Sequence, residues 1–263
     1  MKSLISVAQS NHVPPSFLIE ETTATLNPMI SVLIPAHNEE GSIENVIHRT
    51  QKVLIELGYP YEIIVIDDGS TDQTWNAAYK NDVFILRNYR NCGKGHALQV
   101  GFSSCRGDII ITMDADGSHQ PEELPYLLNP LLKNECDVVI GSRFKGQMEE
   151  GAIKKTNFVG NMFFNIVILL LSREWITDTQ SGFRAFKKNV LPNLTLTSAR
   201  YEIESEMTME LLKNKFQIKE VPTYCAKPQR PSGLRAFRDG YRILKIILQT
   251  SLRRNNNGLG KRE

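Results

Sequence analysis

The stretch DIIITMDADGSHQPEEL, Asp108 to Leu124, decides the fold. An apolar run suited to a buried strand stops at Asp114-Ala115-Asp116, and Pro121 then opens a helix where its missing N–H costs little. In extended chain, residues two apart share a face, so the spacing predicts two carboxylates side by side at a strand end. A plainer reading also fits: Asp116-Gly117 forms a turn that Asp114 caps.

The same arrangement of strand, polar cluster and helix recurs on either side. ISVLIPA, 30–36, is a strand; Ile43, Val46, Ile47, Val53, Leu54 and Leu57 then keep helical spacing until Gly58. YEIIVIDD is a second strand, and STDQTWNAAYK begins a helix with Ser70 or Thr71 as its cap. VFILRN, GHALQVGFSSC and CDVVIGS read as strand, helix and strand. Near-continuous apolar strands separated by helices predict an α/β fold, a mostly parallel sheet covered on both faces. Ligands of such sheets bind beyond the carboxyl ends of the strands. Pro35–Glu39, Asp67–Ser70, Asp114–Asp116 and Gly141–Arg143 therefore converge on one rim.

Beyond Phe144 the alternation weakens. FVGNMFFNIVILLL, Phe158 to Leu171, is shorter than the roughly 20 apolar residues that span a bilayer. Asn157, Asn161 and Asn165 recur along it every fourth residue, which places them on one helix face. Taken alone, the segment reads as a core helix. A helix over 202–214, an alternating strand FQIKEVP, a Pro/Arg loop KPQRPSGLR and a last helix from about 236 to 252 complete the chain. Residues 1–28 read as a flexible arm, 29–230 as the main domain, and 231–263 as an amphipathic helix with a disordered basic tail.

Composition narrows the function classes. Of 263 residues, 41% are hydrophobic and 23% charged, with net charge +2, as in an ordinary soluble globular protein. Basic residues do not cluster before the tail, so nucleic acid is not an expected partner. Cys92, Cys105, Cys136 and Cys225 form no CxxC pair and show no metal-ligand spacing to histidine; without a secretory signal they read as reduced thiols of a cytoplasmic protein.

Hard oxygen ligands at Asp114 and Asp116 suit Mg²⁺ or Mn²⁺, which also bind phosphate oxygens. Asp68 stands where a carboxylate can accept hydrogen bonds from a base or ribose. The glycines of NCGKGHA, Asn91 to Ala97, let backbone approach a phosphate, and Lys94 adds charge. This loop is neither a Walker A motif nor GxGxxG, which excludes a nicotinamide dinucleotide. Arg143 can grip a phosphate bidentately. Together these groups suit a nucleoside-diphosphate ligand whose leaving diphosphate a metal neutralises.

SVLIPAHNEE, EIIVIDDGSTDQT, NCGKGHAL, MDADGSHQPEEL, VIGSRF and ITDTQSGFRAF resemble, in order, the motifs of family 2 inverting glycosyltransferases. The likeness runs from about Ile30 to Ser251 and is strongest to dolichyl-phosphate mannosyltransferases and other polyprenyl-phosphate glycosyltransferases. It implies a GT-A fold, Rossmann-like, with interface helices at the C-terminal end. It implies that Pro35, His37 and Glu39 contact the nucleotide and that Ile66 and Asp68 bind the base. Asp114, Ala115 and Asp116 match the DxD that holds metal and sugar diphosphate, and Arg143 a phosphate-contacting arginine. Arg230 lies in the loop that closes over the donor. Ser118 and Gly233 depart from the mannosyltransferase pattern, which has Gln and Lys at these places.

The implied reaction transfers a hexose to dolichyl or polyprenyl phosphate with inversion. The first-choice donor is GDP-mannose, with UDP-glucose and UDP-N-acetylglucosamine as alternatives. Lys154, Lys155, Arg143 and Arg184 are then the candidates to hold the acceptor phosphate. A hydroxyl acceptor would need a base, for which Asp178 is the candidate. The resemblance also turns Phe158–Leu171 toward a membrane. The last helix, with Leu234, Phe237, Tyr241, Leu244, Ile247 and Leu248 beside Arg235, Arg238, Arg242 and Lys245, can lie in the interface plane. Peripheral attachment at the cytoplasmic side, without a transmembrane helix, is the expectation.

Overall fold

The apolar runs form strands β1 (Ile30–Ala36), β2 (Tyr61–Asp67), β3 (Phe84–Arg87), β4 (Ile109–Thr112), β5 (Val138–Ser142), β6 (Arg184–Lys187) and β7 (Ile218–Pro222). The computed structural model describes residues 27–229 and 236–253. The strands make one sheet in the order β3-β2-β1-β4-β6-β5-β7, parallel except for β6, which runs antiparallel to both β4 and β5. β6 is the strand that sequence reading misses: four residues, RAFK, give too short a period to recognise. Both its neighbours bury it, so Arg184, Ala185 and Phe186 are all interior.

Strand alternation divides the core into two layers. Val32 and Ile34 of β1 pack with helices α1 (Ile43–Leu57), α2 (Thr74–Tyr79) and α4 (Leu124–Leu132). Leu33 packs instead with α3 (Lys94–Ser104), and α6 (Ile203–Lys213) covers the same face further along. α1 ends as its sequence demands, with Gly58 left-handed at φ 72°. The start of α2 differs from expectation. Neither Ser70 nor Thr71 caps it: the Asp72 carboxylate accepts from the Thr74 N–H at 3.0 Å, while Ser70 Oγ accepts from the Asn38 N–H.

The helix α5 (Lys155–Ser172) corrects the core-helix reading. Only 22% of it is buried. The inward residues are Asn161, Phe164, Asn165 and Ile168, whereas Val159, Phe163, Ile166 and Leu170 are exposed. Its polar stripe faces the protein because Asn165 bridges the chain that follows. Nδ2 donates to the Thr177 carbonyl at 2.6 Å, and Oδ1 accepts from Thr179 Oγ1 at 2.7 Å. By length and composition α5 also reaches the lower limit for crossing a membrane, but it is packed along one face. There α7 (Ala236–Leu252) brings Ile243 and Ile247 against Phe164, Ile168 and Met209.

Candidate active site

A cavity of about 450 Å³ opens at the carboxyl ends of the central strands. Pro35, His37, Glu39, Asp68, Asp114, Ala115, Asp116 and Arg143 all line it, so the predicted rim is real. Five expected residues lie elsewhere. Ile66 is fully buried under α3, and Asp178 and Arg184 are also wholly interior. Lys154 and Lys155 are exposed where α5 begins, beside the lining residues Ile153 and Thr156. Arg230 lies outside the described residues.

The DxD segment is a turn rather than a strand end. β4 stops at Thr112, and Gly117 takes φ 77° after Asp116. Asp116 Oδ1 accepts from the Ser118 N–H at 2.9 Å and from Ser118 Oγ at 2.7 Å, so Ser118 props the carboxylate. The two carboxylates are also unequal. Lys94 Nζ lies 2.6 Å from Asp114 Oδ1 and 2.8 Å from Glu204 Oε1 of α6. Burial alone would push the Asp114 carboxyl up, but Lys94, with smaller help from Arg143, holds it down at about 2. Burial likewise works against the Lys94 charge, and Asp114 and Glu204 together raise its pKa. Gly182 leaves room for this ion pair, since a Cβ there would stand 2.5 Å from Lys94 Nζ.

His119, read as a loop residue from the sequence, is buried behind the turn. Its ring stacks on Phe183 at 5.0 Å, and its Nδ1 accepts from the Asp114 N–H at 3.2 Å. Burial lowers its pKa despite the nearby carboxylates, consistent with the neutral ring that this bond requires.

The glycine loop serves packing more than phosphate approach. A Cβ on Gly93 would strike the Ala199 carbonyl oxygen at 2.4 Å, and one on Gly95 the Ser198 carbonyl oxygen at 2.3 Å. Asp68 ties this loop to β2: its Oδ1 accepts from Asn88 Nδ2 and the Cys92 N–H, and its Oδ2 from the Gly93 N–H. Asp68, Cys92 and His96 bring one ligand atom each within 4.8 Å of one another, a grouping that the spacing Cys92-x-x-x-His96 did not suggest. The three donors already on Asp68 account for its orientation without a metal.

Arg143 grips Asp178 rather than standing free. Its Nε donates to Oδ2 at 2.7 Å and its Nη2 to Oδ1 at 2.8 Å. Among the described residues Nη1 has no hydrogen-bond partner on the protein, and Arg143 lines the cavity. Arg184 is an interior brace: Nε donates to the Ser181 carbonyl, Nη2 to the Thr179 carbonyl and Nη1 to Thr208 Oγ1, with Glu204 3.3 Å away. It is closed to an acceptor phosphate because β6 carries it into the sheet. Asp178, wholly buried under Arg143, is equally unsuited to be a base.

Residues 31–195 match the family profile described as Glycosyl transferase family 2. The chain belongs to that family. Among curated relatives, this glycosyltransferase is 34% identical over 246 residues to the UDP-N-acetylglucosamine–dolichyl-phosphate N-acetylglucosaminyltransferase of Methanococcus voltae, covering 83% of this chain and 96% of the relative. It is 33% identical to the dolichol-phosphate mannosyltransferase of Pyrococcus furiosus, covering 82% of this chain and 64% of that protein. Among solved structures it is similar to glucosyl-3-phosphoglycerate synthase from Mycobacterium tuberculosis in complex with Mn²⁺, UDP and glucosyl-3-phosphoglycerate. That likeness has a TM-score of 0.69 at 23% identity and covers 92% of this chain and 86% of the other. The fold is therefore GT-A, as the motifs implied.

The donor set of the glycosyltransferase fits a hard cation. Asp116 Oδ2 has no protein partner among the described residues, and Asp114 stands beside it in the cavity wall. Two carboxylates leave most of a coordination sphere to water and phosphate oxygen, as Mg²⁺ and Mn²⁺ sites do. Glu204, the second partner of Lys94, is the cavity residue that sequence reading overlooked; within EIESEMTMELL nothing distinguishes it from its acidic neighbours.

Proposed function

We propose that the protein transfers a hexose from a nucleotide sugar to a polyprenyl phosphate, inverting the anomeric carbon, with Mg²⁺ or Mn²⁺ as cofactor. One observation carries this reading: the cavity that holds the DxD turn and Arg143 continues between α5 and α7, whose outer surfaces expose apolar side chains. A head site for a diphosphate and an apolar outlet belong together if the acceptor is an anionic lipid. The names of the Methanococcus voltae and Pyrococcus furiosus relatives support the same acceptor class. They carry different sugars, so the choice of GDP-mannose, UDP-N-acetylglucosamine or UDP-glucose falls to assay.

Pro35, His37, Glu39 and Asp68 would seat the nucleoside, and Asp116 with Asp114 would hold the cation. When bound, that ion neutralises charge on the leaving diphosphate. Arg143 offers Nη1 to a phosphate, fixed in place by Asp178. Lys154 and Lys155, at the start of α5, attract the acceptor phosphate with help from the helix dipole. An oxygen of that phosphate attacks the anomeric carbon as the bond to the diphosphate oxygen breaks. The attacking group is already anionic, so no proton moves and alignment supplies the catalysis.

The exposed Phe163, Ile166 and Leu170 of α5 and Tyr241, Leu248 and Leu252 of α7 suit the membrane interface, with Arg238 and Lys245 toward anionic headgroups. Peripheral attachment on the cytoplasmic side belongs to this proposal. The test is a donor panel of GDP-mannose, UDP-glucose and UDP-N-acetylglucosamine, each with dolichyl phosphate and Mg²⁺ or Mn²⁺. One donor should yield a glycosylated lipid phosphate, and EDTA should stop the reaction. Transfer to a sugar hydroxyl with none to polyprenyl phosphate refutes the reading.

A further inference from the structure

The side chains of Cys92 and His96 take no part in the chemistry above, yet both come close to Asp68. An Asp68 carboxylate oxygen, the Cys92 Sγ and a ring nitrogen of His96 lie within 4.8 Å of one another. Ligands of a tetrahedral Zn²⁺ stand about 3.3–3.8 Å apart, given metal distances of about 2.0–2.3 Å. Side-chain rotation closes that gap. Cys92 is half-buried and His96 exposed, so both can turn, whereas Asp68 is buried.

The frame that carries the three residues is rigid. A Cβ on Gly69 would stand 2.4 Å from the Arg90 carbonyl carbon, so the loop that holds Cys92 is pressed against the end of β2. The Cys92 and Gly93 N–H groups donate to Asp68 at 2.9 Å and 2.6 Å, which aims the carboxylate. The His96 N–H donates to the Ala199 carbonyl at 3.0 Å and fixes the first turn of α3. Asn88 supplies a second observation. Its Nδ2 lies 2.8 Å from Asp68 Oδ1 and 3.2 Å from His96 Nδ1. An amide nitrogen only donates, so both partners are acceptors here. A carboxylate oxygen and an imidazole lone pair thus converge on one electropositive group. Asn88 is half-buried, so that group can be displaced.

We propose that Asp68, Cys92 and His96 form a second cation site, for a borderline-soft divalent ion, Zn²⁺, and that an ion there excludes the nucleotide. The ligand set separates this site from the DxD turn. Asp114 and Asp116 offer oxygen alone, which suits Mg²⁺ and Mn²⁺; a thiolate and an imidazole suit Zn²⁺. As the ion binds, it displaces the Asn88 amide, the Cys92 S–H bond breaks, the sulfur keeps the electron pair and donates it to the ion, and the proton leaves to solvent. Exclusion follows from the shared residue. Asp68 lines the cavity and seats the nucleoside in the functional reading, on which this half of the inference rests. Zinc would then hold back a transfer that Mg²⁺ or Mn²⁺ drives.

The probe is the metal alone. The full chain, freed of metal by chelation and dialysis, is titrated with Zn²⁺ by calorimetry and with Co²⁺ in a spectrophotometer, where a sulfur ligand gives an intense thiolate-to-cobalt band. Wild type should show the band and Cys92→Ser should lose it. Cys225→Ser, whose thiol also borders the cavity, should keep it. Cys92→Ser and His96→Gln should each raise the Kd for Zn²⁺ by about tenfold or more. The Tm of metal-free Cys92→Ser should barely move, because the bond from Cys92 to Asp68 uses the backbone N–H. GDP and UDP, each with Mg²⁺, are then bound with and without Zn²⁺ at about ten times its wild-type Kd. Two ligands that exclude one another weaken each other by mass action, so nucleotide affinity should fall about tenfold in wild type and about twofold at most in Cys92→Ser. No thiolate band in wild type, or one that survives Cys92→Ser, overturns the site. A band with unchanged nucleotide affinity overturns the exclusion alone. Failure of wild type to bind either nucleotide without Zn²⁺ overturns the functional reading, and the cobalt spectrum still decides the cation site.

Discussion

Lys94→Met removes the cation that lies between Asp114 and Glu204, 2.6 Å and 2.8 Å from their oxygens. At an effective dielectric of about 20, each contact is worth about 6 kcal/mol of attraction before desolvation. Taking a buried ammonium out of water offsets much of that. Removing one partner of a buried pair costs about 3–5 kcal/mol net. One share can be traced. The Asp114 carboxyl titrates at about 2 instead of 3.8, which contributes about 2 kcal/mol of stability. A depressed carboxyl stabilises above its unfolded value, so this share is complete above pH about 4 and disappears as pH falls toward 2. The remainder falls on Glu204, left with Arg184 alone at 3.3 Å. Urea unfolding in EDTA at pH 7 should show the loss of about 3–5 kcal/mol, and Tm should fall by roughly 6–20 °C. Below pH about 4 the gap to wild type should narrow, because Asp114 of the variant is then neutral. Adding Glu204→Gln should recover part of the loss, with a coupling of about 1–3 kcal/mol. A loss below about 1 kcal/mol, or strict additivity in the double variant, refutes the reasoning.

Three further outcomes follow from the site and the surface. Arg143→Gln leaves Asp178 buried without its partner, so stability should drop by about 3–5 kcal/mol in urea and transfer should cease; adding Asp178→Asn should restore the unfolding midpoint but not the activity. Asp116→Ala should abolish metal-dependent transfer while moving Tm little, since the described side-chain bonds of Asp116 reach only Ser118. Phe163→Ser with Leu170→Ser changes side chains that are 50% and 74% exposed, so Tm should hold while flotation with anionic liposomes is lost. Salt should weaken the flotation of wild type by screening Arg238 and Lys245.

The candidate site was half legible. Pro35, His37, Asp68, Asp114, Asp116 and Arg143 were found because each lies at or shortly beyond the carboxyl end of a strand whose apolar run marks it, and the sheet rule then places them on one rim. Arg184 and Asp178 were misplaced by the same logic, which takes a polar residue near a motif to face the ligand. Their partners, Glu204 at one and Arg143 at the other, lie 20 and 35 residues away, beyond any local pattern.

By itself the sequence determined the α/β class, the order of strands and helices up to β5, and the family, because these depend on periodicity and on motifs read in order. Only the tertiary structure decided three other matters. It set β6 antiparallel within the sheet, which turned Arg184 inward. It paired Lys94 with Asp114 and Glu204, which made the two DxD carboxylates unequal. It turned the asparagine face of α5 toward the protein and the apolar face outward. Periodicity reports that a helix has two unlike faces, but which face is buried depends on the polar groups waiting opposite, here the backbone of Thr177 and Thr179.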